Sequence, residues 1–304
     1  MHVAEVSAYG GPEVLRLAER PDPSPAPDEV VVRIRATDVN PTDVALRAGQ
    51  HAMAARLDPP FVPGWDLAGE VTAVGSEVSG YAPGDRVVGM IPFGRIGGRV
   101  GAYAQAAAVD PAWLAPLASD IDDPTAATLP LNALTARQAL DLIGLPPEST
   151  LLVTGASGAV GGFAVQLAAR DGHRVLAQAS HGDEEWVGSL GATEVLARST
   201  DLATIGPVDA VLDAVPLGPS STAPVRDGGI AVFTRPPRAE PDRDLRFETI
   251  LVQTDPQALR ALATDLAEGR LRTRVAEVLP LAQAARAHEL NEAGGLRGKV
   301  VLTP

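Results

Sequence analysis

The stretch Leu151-Leu-Val-Thr-Gly-Ala-Ser-Gly-Ala-Val-Gly-Gly162, running straight on into Phe163–Arg170, decides the fold. Leu151–Thr154 is a short apolar run of the kind that forms a strand buried on both faces. Gly155, Gly158 and Gly161 interrupt it, and Val160, Phe163, Ala164, Leu167 and Ala168 then follow at helical spacing. Strand, glycine turn and helix in that order make a site for a pyrophosphate. Residues without Cβ let the backbone approach the phosphates, and the N–H groups of the helix N-terminus point at the negative charge. Three glycines can also mark an ordinary turn. A second strand, Arg174–Ala179, arrives at βαβ distance and favours dinucleotide binding. On that reading the cofactor lies against Gly155, Ala156, Ser157, Gly158, Ala159, Val160 and Gly161.

Outward from this stretch the αβ alternation continues. Asp183–Leu190 reads as a helix, and Glu194–Ala197, Val208–Val215, Gly229–Thr234 and Phe247–Val252 read as strands. Six strands with interposed helices make a doubly wound parallel sheet. Arg198–Pro207 and Pro216–Asp227 leave little room for full crossover helices, and Pro216, Pro219 and Pro224 oppose one. Pro124–Leu131 and Thr135–Ile143 look helical. Pro256–Glu268 is amphipathic, with Leu259, Leu262, Ala263 and Leu266 on one face. The tail, Val275–Leu279, Ala282–Asn291 and Lys299–Leu302, reads strand, helix, strand. Before Asp122 the chain is short strands and turns. Val3–Val6, Val30–Ile34, Glu70–Val74 and Asp85–Met90 are the strands, and Pro21–Pro27 is a stiff connector.

Composition closes off several classes of function. The 304 residues leave room for about two domains. No apolar run reaches the ~18 residues of a membrane span. The acidic start, Met-His-Val-Ala-Glu-Val, differs from a basic signal peptide, so the cytoplasm is the expected compartment. With no cysteine there is no disulfide, thiolate nucleophile, cysteine-ligated zinc or iron–sulfur cluster. A formal charge of −13 without a basic patch argues against nucleic acid as a partner. Lys299 is the sole lysine, so a Schiff base would have to use it. Its place in a terminal apolar strand speaks against that role.

Four stretches resemble the medium-chain dehydrogenase/reductase superfamily, and within it the zinc-independent quinone oxidoreductase branch. They are Val39-Asn-Pro-Thr-Asp-Val-Ala-Leu-Arg-Ala-Gly49; Pro63-Gly-Trp-Asp-Leu-Ala-Gly-Glu-Val-Thr-Ala-Val-Gly75 with Pro83-Gly-Asp-Arg-Val87; Ala102-Tyr-Ala-Gln105 with Leu129-Pro-Leu-Asn-Ala-Leu-Thr-Ala136; and the glycine loop, with Gly298-Lys-Val-Val-Leu302 closing the chain. The resemblance implies a GroES-like β-rich catalytic domain over residues 1–120, completed by 270–304. It implies a Rossmann domain over 121–269 holding a nicotinamide cofactor, with substrate in the cleft between. Zinc-dependent relatives carry Cys where this chain has Asn40, His where it has Trp65, and a further ligand Cys near Leu131. Amide, indole and leucine do not replace those ligands.

Without a Lewis acid, the tractable reaction is hydride transfer from reduced nicotinamide to a small-molecule quinone or α,β-unsaturated carbonyl, whose conjugation spreads the developing charge. An enoyl-thioester reductase shares that chemistry. A cofactor-binding protein without turnover is the alternative from another class. By the resemblance, Asn40 would hydrogen-bond the substrate oxygen or the nicotinamide ribose; otherwise it is an Asn-Pro turn residue. His51 falls where many relatives have a Tyr near the substrate and is a candidate proton donor, or a solvated loop residue. Asp43 and Asp66 look structural, Trp65 a cleft wall, and Thr135, opening a helix, a contact for the nicotinamide end.

The cofactor is expected to be NADPH. NAD-specific sites usually end the second strand with an acid, and here Gln178 stands there, with no carboxylate until Asp183, placed in the next helix. Ser180 and His181 can donate hydrogen bonds to a 2′-phosphate, although Ser-His-Gly also fits a plain turn. A homodimer is expected through the sheet edge at Phe247–Val252. The charges at Arg243, Asp244, Arg246 and Glu248 would instead protect that edge in a monomer.

Overall fold

The computed structural model describes residues 1–92, 101–237 and 244–304. Contacts divide them into a first unit of 1–131, 253–270 and 274–304, and a second of 132–252 with 271–273. Along the chain, β1 (His2–Val6) and β2 (Leu15–Glu19) pair antiparallel. Then come β3 (Val30–Asp38), α1 (Pro41–Arg47), β4 (Asp66–Val74), β5 (Arg86–Met90), β6 (Ala106–Val109), β7 (Leu114–Pro116) and α2 (Asp123–Ala127). The helix α3 (Pro130–Ile143) precedes β8 (Thr150–Thr154), α4 (Ala159–Arg170), β9 (Arg174–Ala179), α5 (Glu184–Ser189) and β10 (Glu194–Ala197). β11 (Val208–Asp213), β12 (Val225–Phe233) and β13 (Arg246–Thr249) follow, then α6 (Pro256–Ala267), β14 (Val275–Pro280), α7 (Ala284–Ala293) and β15 (Lys299–Thr303).

The first unit is the β-rich one. Its larger sheet runs β14-β15-β3-β4-β5-β7, with β6 also on β3. Alternation along β3 buries Val30, Val32 and Ile34 with Leu67, Val71 and Val87 in one apolar cluster. A second cluster joins Leu46, Phe61, Trp65 and Tyr103 to the tail residues Ala287, Val300 and Leu302. The tail therefore completes this unit: β15 pairs β3 antiparallel with Val301 opposite Asp38. α6 buries Leu259, Leu262, Ala263 and Leu266, as its periodicity implies, and packs on β5 and β7. By contacts it groups with the first unit, whereas the sequence reading placed it in the second.

The second unit is a six-stranded, fully parallel sheet in the order β10-β9-β8-β11-β12-β13. The order reverses between β8 and β11, where ligands bind outside the strand ends in folds of this kind. Only short 3-10 turns, Leu202–Thr204 and Gly218–Thr222, occupy the two abbreviated connections. Several boundaries differ from expectation, and three of them touch candidate site residues or the sheet edge. α3 opens at Pro130, because proline with its fixed φ suits the first helical position, and Thr135 therefore lies inside the helix. Asp183 is the residue before α5 and not part of it; the first helical carboxylate is Glu184. β13 ends at Thr249, short of Val252. Arg243 lies outside the described residues. Among them, no helix is long and apolar enough to cross a membrane.

Candidate active site

In the first unit, the turn from β3 into α1 concentrates polar residues in a dry place. Asp38, Asn40, Asp43 and Asp66 are fully buried, and Lys299 is 8% exposed. Asn40 precedes Pro41 at the helix start, and its backbone N–H donates to Asp43 Oδ2 at 2.8 Å, half of a capping box. The Asn40 side chain donates through Nδ2 to Asp38 Oδ1 at 2.6 Å and to Asp66 Oδ2 at 2.7 Å. Its Oδ1 accepts from Lys299 Nζ at 2.7 Å. Two acceptors on one side and an ammonium on the other leave a single sensible amide orientation. Lys299 Nζ also donates to the Val39 carbonyl at 2.9 Å and lies 3.2 Å from Asp38 Oδ2. The Leu131 N–H donates to Asp66 Oδ1 at 2.6 Å.

One ammonium among three carboxyls leaves protons to be placed. Burial pushes Asp43 up to about 8, against the lowering effect of the Asn40 N–H. Burial also raises Asp66 well above the usual carboxylate range; the charge on Asp38 adds to this, and the two side chains hydrogen-bond. Protons held on Asp43 and Asp66 bring the charge of the cluster closer to neutral, which is what a dry site favours. The sequence reading discounted Lys299 and did not single out Asp38. The signal available was a lone lysine in a chain whose other cations are arginines. Among the described residues, no three His, Cys, Asp or Glu side chains are arranged as a metal site.

His51 stands apart from this network. It opens the 3-10 turn Ala52–Arg56, with Nδ1 accepting from the Met53 N–H at 3.2 Å, so the ring hydrogen sits on Nε2. Burial lowers its pKa, and its ring lies 6.1 Å from Trp65. At neutral pH it is a neutral hydrogen-bond donor packed beside an indole. Deeper, Tyr103 Oη and His288 Nε2 are 3.1 Å apart with rings edge to face. Burial, with the nearby Arg47 charge adding, takes His288 down to about 3.

In the second unit, β8 delivers the chain to Gly155 with φ +65°, a conformation that side chains resist. A Cβ on Gly161 would lie 2.3 Å from the Gly155 carbonyl oxygen, so helix and loop meet at a distance only glycine allows. Gly158 is the residue before α4 and offers no side-chain cap to its first N–H groups. Loop and second strand are tied together: the Ala156 N–H donates to the Gln178 carbonyl at 3.1 Å, and the Ser180 N–H to Ser157 Oγ at 2.9 Å. This cradle fits a dinucleotide pyrophosphate by its backbone donors, close approach and uncapped helix. Thr135 is buried on α3.

Past β9 the chain turns outward. Gln178 is buried, with Nε2 on the Arg198 carbonyl at 3.3 Å, and so does not occupy the turn. His181 is fully exposed, with Nδ1 3.7 Å from Glu184 Oε1. Glu184 Oε2 accepts from the Gly182 N–H at 2.7 Å. Asp213, which the sequence reading passed over, ends β11 as a buried carboxylate. It accepts from Thr154 Oγ1 at 2.6 Å and from the Gly218 N–H at 2.8 Å, pinning the shortened turn to the end of β8. Its signal was an acid closing the apolar run Val208-Asp-Ala-Val-Leu-Asp213.

Residues 26–119 match the alcohol dehydrogenase GroES-like domain, and residues 190–302 match the zinc-binding dehydrogenase domain. The chain is 31% identical over 328 residues to the chloroplastic quinone-oxidoreductase QR1 of Triphysaria versicolor, covering 100% of this chain and 98% of the relative. It is 31% identical over 305 residues to a 2-methylene-furan-3-one reductase of Solanum lycopersicum, covering 97% and 77%. The solved quinone oxidoreductase of Coxiella burnetii superposes with a TM-score of 0.91 at 29% identity, covering 100% of this chain and 99% of that one.

Proposed function

The chain belongs to the quinone oxidoreductase branch of the medium-chain dehydrogenase/reductase superfamily, and from that membership we propose an NADPH-dependent, metal-independent reductase of quinones or α,β-unsaturated carbonyls. The observation that carries this reading is the glycine cradle between β8 and α4, where Gly161 and Gly155 meet at a distance no side chain would permit. A dinucleotide held there by its pyrophosphate would supply a hydride from its reduced nicotinamide. The chain's own residues supply position and exclusion of water.

Support for a metal-free reaction comes from the donor set. Asn40 and Trp65 stand where zinc-dependent relatives have ligands, and a lysine ammonium already holds the cation position among the buried carboxyls. A quinone or enone needs no Lewis acid, because its conjugation accepts the charge. Asn40 acts here as a positioning residue, holding the start of α1 against β4 and β15 through Asp38, Asp66 and Lys299. His51 offers a neutral Nε2–H to a substrate oxygen. Ser180 and the exposed His181 in the turn after β9 can donate to a 2′-phosphate, which favours NADPH over NADH. The edge strand β13, with Leu251 79% exposed just past it, favours a homodimer. The cytoplasm is proposed as the compartment.

NADPH oxidation by purified protein with 1,4-benzoquinone, in the presence and absence of a zinc chelator, tests the reading. Turnover that the chelator leaves unchanged is the expected result. No oxidation with quinones or enones would overturn the activity, and loss of turnover on chelation would overturn its metal independence.

A further inference from the structure

Parallel neighbours in a sheet are usually joined by a crossover helix, but β11 and β12 are not. Pro216, Pro219, Pro224 and the 3-10 turn Gly218–Thr222 take the place of one. A carboxylate holds that connection instead. Asp213, the last residue of β11 and 2% exposed, gathers four donors: Thr154 Oγ1 at 2.6 Å, the Gly218 N–H at 2.8 Å, and the N–H groups of Val215 and Leu217. Its backbone carbonyl accepts from the Thr234 N–H at 3.0 Å and from Thr234 Oγ1 at 3.1 Å. Thr154 is fully buried and immediately precedes Gly155. The glycine loop leans on the same turn, because a Cβ on Gly155 would lie 2.6 Å from Val215 Cγ1. One side chain thus joins the end of β8, where the glycine loop begins, to the turn that follows β11.

The order of the sheet reverses between these two strand ends, and a dinucleotide lies across such a crevice with one nucleotide on each side. We infer that Asp213 is a positioning residue for the cofactor: it fixes the turn Val215–Gly218 at the distance from the glycine loop that the second nucleotide of a dinucleotide requires. The inference rests on the nucleotide site proposed above. Asp213 acts through the backbone and touches no ligand itself. A crossover helix would hold this turn by its own hydrogen bonds. Without one, the free N–H groups bond to a buried carboxylate, and charge-assisted bonds of that kind are the strong ones. The Thr154 hydroxyl ties the same carboxylate to the glycine loop. Loosening either bond shifts the turn. The β9 side stays in place, because its own ties run from the Ala156 N–H to the Gln178 carbonyl and from the Ser180 N–H to Ser157 Oγ. The consequence is selective: ligands that span both sides of the crevice lose affinity, and ligands confined to one side do not.

The test is calorimetric titration of the full-length wild type, Asp213→Asn, Thr154→Val and Thr154→Ser with NADPH, NADH, 2′,5′-ADP and 5′-AMP, with thermal melting of each variant alongside. Asp213→Asn keeps the size of the side chain but sets an amide against N–H donors. It is expected to weaken the dinucleotides about tenfold and the mononucleotides less than about twofold. Thr154→Val removes a single donor and should show the same split at about threefold. Thr154→Ser keeps the hydroxyl and should bind as the wild type does. Equal weakening of both ligand classes, or unchanged dinucleotide affinity, would overturn the positioning role, and so would a Thr154→Ser variant that behaves like Thr154→Val. If Asp213→Asn does not fold, the two Thr154 variants decide alone. A wild type that binds none of the four ligands would overturn the nucleotide site, and the inference with it.

Discussion

Two polar assemblies in this molecule use nearly the same side-chain chemistry under opposite solvation. In the first unit, Asp38, Asn40, Asp43, Asp66 and Lys299 are dry, and the amide of Asn40 joins two carboxyls to an ammonium. In the second, Ser180, His181 and Glu184 lie at a surface turn, where water competes for each contact. A buried polar group without a partner costs several kcal/mol, so the contacts of the dry cluster fix backbone positions. Exposed pairs contribute about 0–1 kcal/mol and exchange readily, so the wet turn can trade an internal contact for a ligand. Similar residues thus build a fixed scaffold in one place and an exchangeable surface turn in the other.

The largest expected effect breaks the dry side. Lys299→Met leaves buried carboxyls without their cation and should lower stability by about 3–5 kcal/mol in denaturant titration. A loss below about 1 kcal/mol would mean the acids do not need the ammonium. Next comes the backbone of the cradle. Gly161→Ala places a Cβ 2.3 Å from the Gly155 oxygen. It should cost about 1–3 kcal/mol, and NADPH affinity should drop at least tenfold in the same preparation. Unchanged nucleotide binding would show that close approach at this loop is not what makes the site.

Titration sharpens the comparison. Asp43 is raised to about 8, so the folded chain holds a proton that the unfolded chain releases above its ordinary carboxylate pKa. Stability from this group is complete below about pH 4 and is lost as pH rises through 8. Between pH 6.5 and 8 the wild type should lose about 1.5 kcal/mol more than Asp43→Asn, read from urea midpoints across that range. His288 has the opposite sign: taken down to about 3, it must be neutral in the fold, and its contribution is lost as pH falls from about 6.5 toward 3. Parallel curves for wild type and Asp43→Asn would refute a protonated Asp43. The smallest effect belongs to the wet side. His181→Ala should change stability by less than about 0.5 kcal/mol while weakening NADPH relative to NADH, and a larger loss of stability would mean the turn is structural after all.

Much of the fold was legible because its signals are local. The strand β9 announces itself as a short apolar run and the amphipathic α6 by a period of 3.6, and Pro216, Pro219 and Pro224 oppose a crossover helix by their own geometry. Gly155 and Gly161 were legible for the same reason: loop, helix start and close approach fall within one short stretch. The start of α3 was misplaced because proline reads as a breaker until it is recognised as a first helical residue.

What the sequence determined by itself is therefore the alternation of elements, the glycine turn between β8 and α4 and the absence of any thiolate chemistry, each carried by neighbouring residues or by composition. Only the tertiary structure decided the roles of the charged side chains. Lys299 and Asn40 are 259 residues apart and meet because β15 pairs with β3 in one register, which places Val301 opposite Asp38. Glu184 reads as an ordinary helical carboxylate until the turn at Gly182 brings a backbone N–H to it. A carboxylate's protonation, partner and use depend on what surrounds it in space. Propensity and periodicity carry no information about that surrounding.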